Sequence, residues 1–301
     1  MFLIMNKLPF ETRVRILSML CEGSSMRSIS RVADVSINTV AKLLVDAGEA
    51  CAAFHDHAVR DVKARRIQCD EIWSFVYAKQ KNVATAKRQD RAYGDVWTWT
   101  ALDADSKLIV SWLVGGRDSD YAIALMDDLR ARLANRVRLT SDGHKAYLEA
   151  VEGAFGADID YAMLVKLYGQ GPESAGRYSA PECIGTRKTA IEGNPDPDHV
   201  STSYVERSNL SMRTFKRRFT RLALGFSKKF ENHCHMAALY AVWYNFVKMH
   251  KTLRMTPAMA AGVTDRLWTI EDVVALTDAR AEKPNRPATY RKRESAAEIS
   301  K

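Results

Sequence analysis

Residues 66–78 read RIQCDEIWSFVYA, a run rich in β-branched and aromatic side chains. Alternation places Ile67, Cys69, Glu71, Trp73, Phe75 and Tyr77 on one face of a strand, and Gln68, Asp70, Ile72, Ser74 and Val76 on the other. Asp70 therefore stands in the middle of an otherwise apolar strand. A carboxylate there is expensive to bury unless it is paired or bound to a metal, so Asp70 is a candidate functional residue. Glu71 points to the opposite face and reads as a structural or supporting acid.

Downstream, residues 95–100 and 108–114 form two further strands joined by a turn at Asp103-Ala104-Asp105-Ser106. Asp118 or Ser119 caps a helix carrying Ile123, Leu125, Met126, Leu129 and Leu133, and residues 137–139 make a short fourth strand running into Thr140-Ser141-Asp142-Gly143-His144. Ligands gather at the carboxyl ends of strands in α/β sheets, so Asp142 is a site position. It is equally well placed to cap the helix that follows. A fifth strand covers 159–167. Residues 169–199, rich in Gly, Pro and charge, read as an inserted loop that contacts DNA through Arg177, Arg187 and Lys188 or acts as a lid.

Residues 200–219, VSTSYVERSNLSMRTFKRRF, read as one helix. Tyr204, Ser208, Met212, Phe215 and Phe219 form its packed stripe, with Glu206, Arg213 and Arg217 on the other side. A solvated, charge-paired face would look the same. The order βββ-α-β-α-β-α is that of the ribonuclease-H-like fold, a mixed five-stranded sheet with flanking helices. In it the middle of the first strand, the end of the fourth and the last helix converge. Asp70, Asp142 and Glu206 hold those three places. Three carboxylates brought together repel, and Mg²⁺, or Mn²⁺ in its stead, relieves that by taking oxygen ligands. Two such ions serve an in-line phosphodiester displacement.

Upstream, Pro9 opens a first helix, Ser25 caps a second, and a tight turn at residues 34–36 leads into a third capped by Ser36. Helix, short turn, helix is the helix-turn-helix pattern, in which Ser36, Asn38, Thr39 and Lys42 would reach base edges. A purely structural three-helix module is the other reading. Asp34 sits where a left-handed residue is needed, at modest cost. Residues 1–50 thus form a helix-turn-helix domain, 51–66 a helical linker, 67–253 the catalytic domain, 254–276 C-terminal helices and 277–301 a basic, disordered tail. His233-Cys234-His235 reads as core or surface, because neighbouring helical residues point about 100° apart.

The 301 residues carry 45 Lys and Arg against 36 Asp and Glu, a net charge of +9, which suits a polyanionic partner. Five scattered cysteines without a C-x-x-C pair indicate neither a disulfide framework nor a zinc ribbon. No signal peptide and no membrane span is expected, so the expected location is the cytoplasm, in association with the nucleoid.

Three blocks, Asp70-Glu71-x-Trp73-Ser74-Phe75-Val76, Thr140-Ser141-Asp142-Gly143, and Tyr204-x-Glu206-Arg207-x-Asn209-Leu210-x-x-Arg213 with Phe226-Ser227-Lys228-Lys229 after it, resemble the DDE transposases of bacterial insertion sequences, in particular the IS-one family. The resemblance covers residues 67–253 and, more loosely, the helical head. It implies that Asp70, Asp142 and Glu206 are metal-binding catalytic acids and that Asn209 and Arg213 hold DNA near the metals; Arg217, Arg218 and Arg221, extending the base-rich helix, would neutralise DNA phosphates. The implied reaction nicks element ends at their terminal inverted repeats and uses the freed 3′-hydroxyl to attack target DNA. Double-stranded DNA would be the partner and a homo-oligomer the working form, since two ends must be paired. Two departures are the 64-residue interval from Asp142 to Glu206 and the lack of a zinc-binding segment before the head. A hydrolytic nuclease of the same fold, or a DNA-binding regulator that has lost the chemistry, are the alternatives.

Overall fold

A computed structural model describes residues 7–85, 92–169, 182–220 and 224–281. The expected DNA contacts at Arg177 and Arg221, and the tail beyond residue 281, lie outside the described residues.

The chain is α/β, built on a mixed six-stranded sheet of order β3-β2-β1-β4-β5-β6. Strands β1 (Arg66–Val76), β2 (Gly94–Asp103) and β3 (Ile109–Gly115) form an antiparallel meander. β4 (Arg138–Ser141) and β5 (Asp160–Tyr168) continue it in parallel on the other side of β1. The sixth strand, β6 (Cys183–Glu192), pairs antiparallel with β5 inside what the sequence presents as an inserted loop, so the expected five-stranded sheet is corrected to six. β6 is an edge strand with nine of its ten residues exposed, and a strand that buries neither face has no apolar alternation to betray it.

Helices α4 (Ser119–Arg132) and α5 (Ala146–Phe155) pack together on the face that carries Trp99. The opposite face takes α6 (Ser203–Phe215) and α7 (Phe230–Val242), which continues as a π turn over Trp243–Val247. Helix α6 ends at Phe215, four residues before the expected end, because the buried Lys216 ammonium turns away to donate to Leu20 O and Cys21 O, both at 2.9 Å. Arg217 consequently lies in a separate short turn, Arg217–Phe219, off the line of Glu206 and Arg213.

At the N-terminus α1 (Phe10–Cys21), α2 (Met26–Val32) and α3 (Ile37–Ala58) follow one another, with Ser25 and Ser36 accepting from Ser28 N and Thr39 N and Asp34 at φ 50° in the turn between α2 and α3. Helix α3 runs without a break across the expected boundary at residue 50, and residues 59–65 are no free linker. Val59, Val62 and Ala64 are buried, and Val62 exchanges backbone hydrogen bonds with Arg132 and Ala134. A single apolar core includes Ile16, Leu44, Trp99, Tyr147 and Tyr240, so head and sheet share it. After α8 (Pro257–Ala260), α9 (Ile270–Arg280) returns to this head. It outruns the expected end at 276 because a Thr269/Asp272 capping box starts it and Arg13 grips Asp278 near its end.

Candidate functional site

The parallel register pairs Cys69 with Ser141, the last residue of β4. One step further along both strands, Asp142 arrives beside Asp70, and no strand fills the space beyond. A cleft of about 910 Å³ opens there, and Asp70, Asp142, Glu206, Asn209 and Arg213 all line it. The structure brings these five expected residues together and leaves out Arg217.

Helix α6 is aimed at this cleft by β1 itself. Thr202, its N-cap, makes no side-chain cap bond. Instead Gln68 Oε1 accepts from Tyr204 N at 2.9 Å and Val205 N at 3.1 Å, satisfying two of the free amides of the first turn from across the sheet. Two residues along the same face, Asp70 Oδ2 accepts from Asn209 Nδ2 at 2.8 Å. Gln68 is a functional position that sequence reading passed over. The signal available was its place two residues before Asp70 on the same face of the strand.

Carboxylate oxygens of Asp70, Glu71 and Asp142 lie within 4.8 Å of one another, the only such group of potential metal ligands among the described residues. Glu71, expected to face away as a supporting acid, therefore joins the cluster. Alternation still holds, with Glu71 paired across from Trp99 and Asp70 facing α6; Asp142, just past the end of β4, comes within reach of both. Glu206 stands apart from that group on the same cleft, where it accepts from Thr202 Oγ1 at 2.6 Å and ion-pairs with Lys166. Arg117, in the turn between β3 and α4, spans Glu71 Oε2 at 3.1 Å and Asp142 Oδ2 at 3.5 Å. Asp142 does not cap α5; its Oδ1 accepts from His144 N at 2.9 Å, closing a tight turn.

Burial, then the Asp142 charge, push Asp70 up to about 6, against the lowering effect of the Asn209 hydrogen bond. The same two causes, in the same order, push Glu71 up to about 7. Unit charges at such separations repel by roughly 3 kcal/mol at an effective dielectric near 20. The donor set suits a hard divalent cation: the carboxylates are oxygen ligands whose repulsion an ion would remove. In addition, the amide oxygen of the buried Asn209 has no hydrogen-bond partner among the described residues.

In the head, Ser36 spends its hydroxyl on the cap of α3, contacting both Thr39 N at 3.1 Å and Thr39 Oγ1 at 2.8 Å, whereas Asn38 and Lys42 are exposed. Lys42 pairs with Asp46 at 2.9 Å. His233 is fully buried between Ser74 and Ser227, a core residue as expected. Among the described residues no helix is long and apolar enough to cross a membrane. No protein-family model matches the chain, and no curated protein matches it.

Proposed function

We propose that the chain is a DDE-type DNA transposase of the insertion-sequence class, with a ribonuclease-H-like catalytic body and a helix-turn-helix head. The observation that carries this reading is the meeting of Asp70, Asp142 and Glu206, from three distant parts of the chain, on one cleft. The strand order on which they ride, β3-β2-β1-β4-β5, supports the fold assignment.

Asp70, Asp142 and Glu206 would hold a pair of divalent ions, Mg²⁺ or Mn²⁺, with Glu71 completing the acid cluster. Such ions supply Lewis acidity at the phosphoryl oxygens and make a water or hydroxyl a better nucleophile. Asn209 holds Asp70 in place, and Arg213, lining the cleft, offers a guanidinium to the DNA backbone. In the first step a water oxygen bonds to phosphorus and the bond to the 3′ oxygen breaks, leaving a 3′-hydroxyl. In the second that hydroxyl attacks a target phosphate, one phosphodiester replaces another, and no nucleotide cofactor is consumed. Asn38 and Lys42, exposed at the start of α3, are the groove-reading candidates, with Ser36 and Thr39 shaping that end of the helix. Two element ends must be held at once, so the working form is a homo-oligomer on DNA.

The test uses duplexes carrying candidate element ends and a plasmid target, in Mg²⁺, Mn²⁺ or chelator. Joined products in metal alone are expected. Cutting without joining would identify a nuclease, and binding without cutting a regulator. Glu206→Gln is expected to leave duplex binding within about twofold and to abolish cleavage; loss of both together would remove Glu206 from the metal site.

A further inference from the structure

The acids of the cleft are not bare. Lys166, on β5, ion-pairs with Glu206, and Arg117 lies across Glu71 and Asp142. The two cations come from opposite sides of β1, one from the β5 side of the sheet and one from the turn after β3. Both line the same cleft as the acids they neutralise, and both are accessible, Arg117 at 41% and Lys166 at 33% side-chain exposure. Glu71, by contrast, is 1% exposed on its side chain. A carboxylate this buried must be either protonated or paired, and here the chain itself brings a counter-charge.

Resting on the transposase reading, we propose that Arg117 and Lys166 are resident counter-cations that yield the carboxylates to the divalent ions and then bind the backbone phosphates of the DNA. Charge counting favours the exchange. Four carboxylates face four basic side chains, Arg117, Lys145, Lys166 and Arg213, so the cleft without ions carries no surplus of positive charge for a phosphodiester. Two divalent ions cancel the four acids by themselves. Arg117 and Lys166 then carry two positive charges with no carboxylate to hold them, at the mouth of the cleft where a phosphate must enter. Arginine suits this use because its planar fork can move from carboxylate to phosphate without changing its bonding pattern, and lysine meets a phosphate as a point charge. Metal loading and DNA binding are thereby coupled through the same two side chains, and each strengthens the other.

Full-length protein and the variants Arg117→Gln and Lys166→Gln are compared in two measurements that do not depend on turnover. The first is Mn²⁺ binding by calorimetry without DNA. Each variant has lost a competitor for the acids and is expected to bind Mn²⁺ several-fold more tightly. The second is the salt dependence of duplex affinity, in Ca²⁺ and in chelator. The slope of log affinity against log salt is expected to fall by about 1 per variant in Ca²⁺, one phosphate contact each, and to stay unchanged in chelator. Weaker Mn²⁺ binding by the variants, or an equal loss of slope with and without the ion, overturns the exchange. If wild-type protein takes up no Mn²⁺ and Asp142→Asn makes no difference, the metal-dependent reading falls and this inference with it; if wild type binds Mn²⁺ and the variants match it, only the exchange falls.

Discussion

Asp70 and Glu71 adjoin in sequence and both hold their protons more tightly in the folded chain than a free carboxyl does, Asp70 to about 6 and Glu71 to about 7. An acid whose pKa is raised on folding costs nothing below its unfolded value, where both states are protonated. The cost builds as pH climbs and is complete above the folded value. For Asp70 that window runs from about pH 4 to about pH 6 and the full cost is about 3 kcal/mol, so the site is a liability to the metal-free protein at neutral pH. In chelator, Asp70→Asn is therefore expected to melt a few degrees above wild type at pH 8, with the gain gone at pH 4; thermal melts at the two pH values check it, and a lower melting point at pH 8 would refute it. The sequence concealed that Glu71 belongs to this group. Glu71 keeps to the face of Trp99, but β4 ends opposite Cys69, so Asp142 lies at an open edge that acids from both faces of β1 reach.

At the scale of elements, β1 organises the site through its side chains as well as its ladder. Gln68 caps α6, Asp70 binds Asn209 one helical turn past Glu206, and Ser74 binds His233 on α7. Gln68→Leu removes an acceptor shared by two amides of the first turn, one of them buried, which is expected to cost about 1–3 kcal/mol and to loosen the turn that carries Thr202 and Glu206. Denaturant titration with cleavage kinetics checks this. Activity should fall further than stability alone explains, while Gln68→Glu, which keeps an acceptor at the helix N-terminus, should fall less; equal losses in both variants would count against the capping role. Strands β1 to β5 were legible because each buries a face and so carries an apolar pattern or a polar turn at its end. The break of α6 was not. FKRRF continues a good helical sequence, and what ends the helix is a contact almost two hundred residues away, Lys216 on the last carbonyls of α1. Propensity gives way to a tertiary bond of that kind because a buried ammonium must find acceptors.

At the scale of the whole molecule, the head is part of the body. Helix α3 lies so close to α7 that a Cβ on Gly48 would fall 2.3 Å from His235 Cβ, 2.6 Å from its Cα and 2.8 Å from its carbonyl oxygen. A glycine mid-helix normally weakens the helix; here it sets the distance between two elements that the sequence presents as belonging to separate domains. Gly48→Ala gains up to about 1 kcal/mol in helix propensity but forces the two backbones apart, at about 1–3 kcal/mol or more. Net destabilisation is expected, and His235→Ala should not restore it, because alanine keeps the Cβ, Cα and carbonyl oxygen that are in the way. The same contact predicts how the protein unfolds. All six tryptophans lie at residue 73 or beyond, and the two that touch α3, Trp112 and Trp268, meet only its last turns at His55 and Phe54, so their fluorescence reports chiefly the body, whereas far-ultraviolet circular dichroism also sees α1, α2 and the start of α3. With a common core running from Ile16 to Tyr240, the two signals should change together in one transition. Helical signal lost well before the tryptophan signal would mean that the head melts by itself, as the independent DNA-reading module that its sequence suggests.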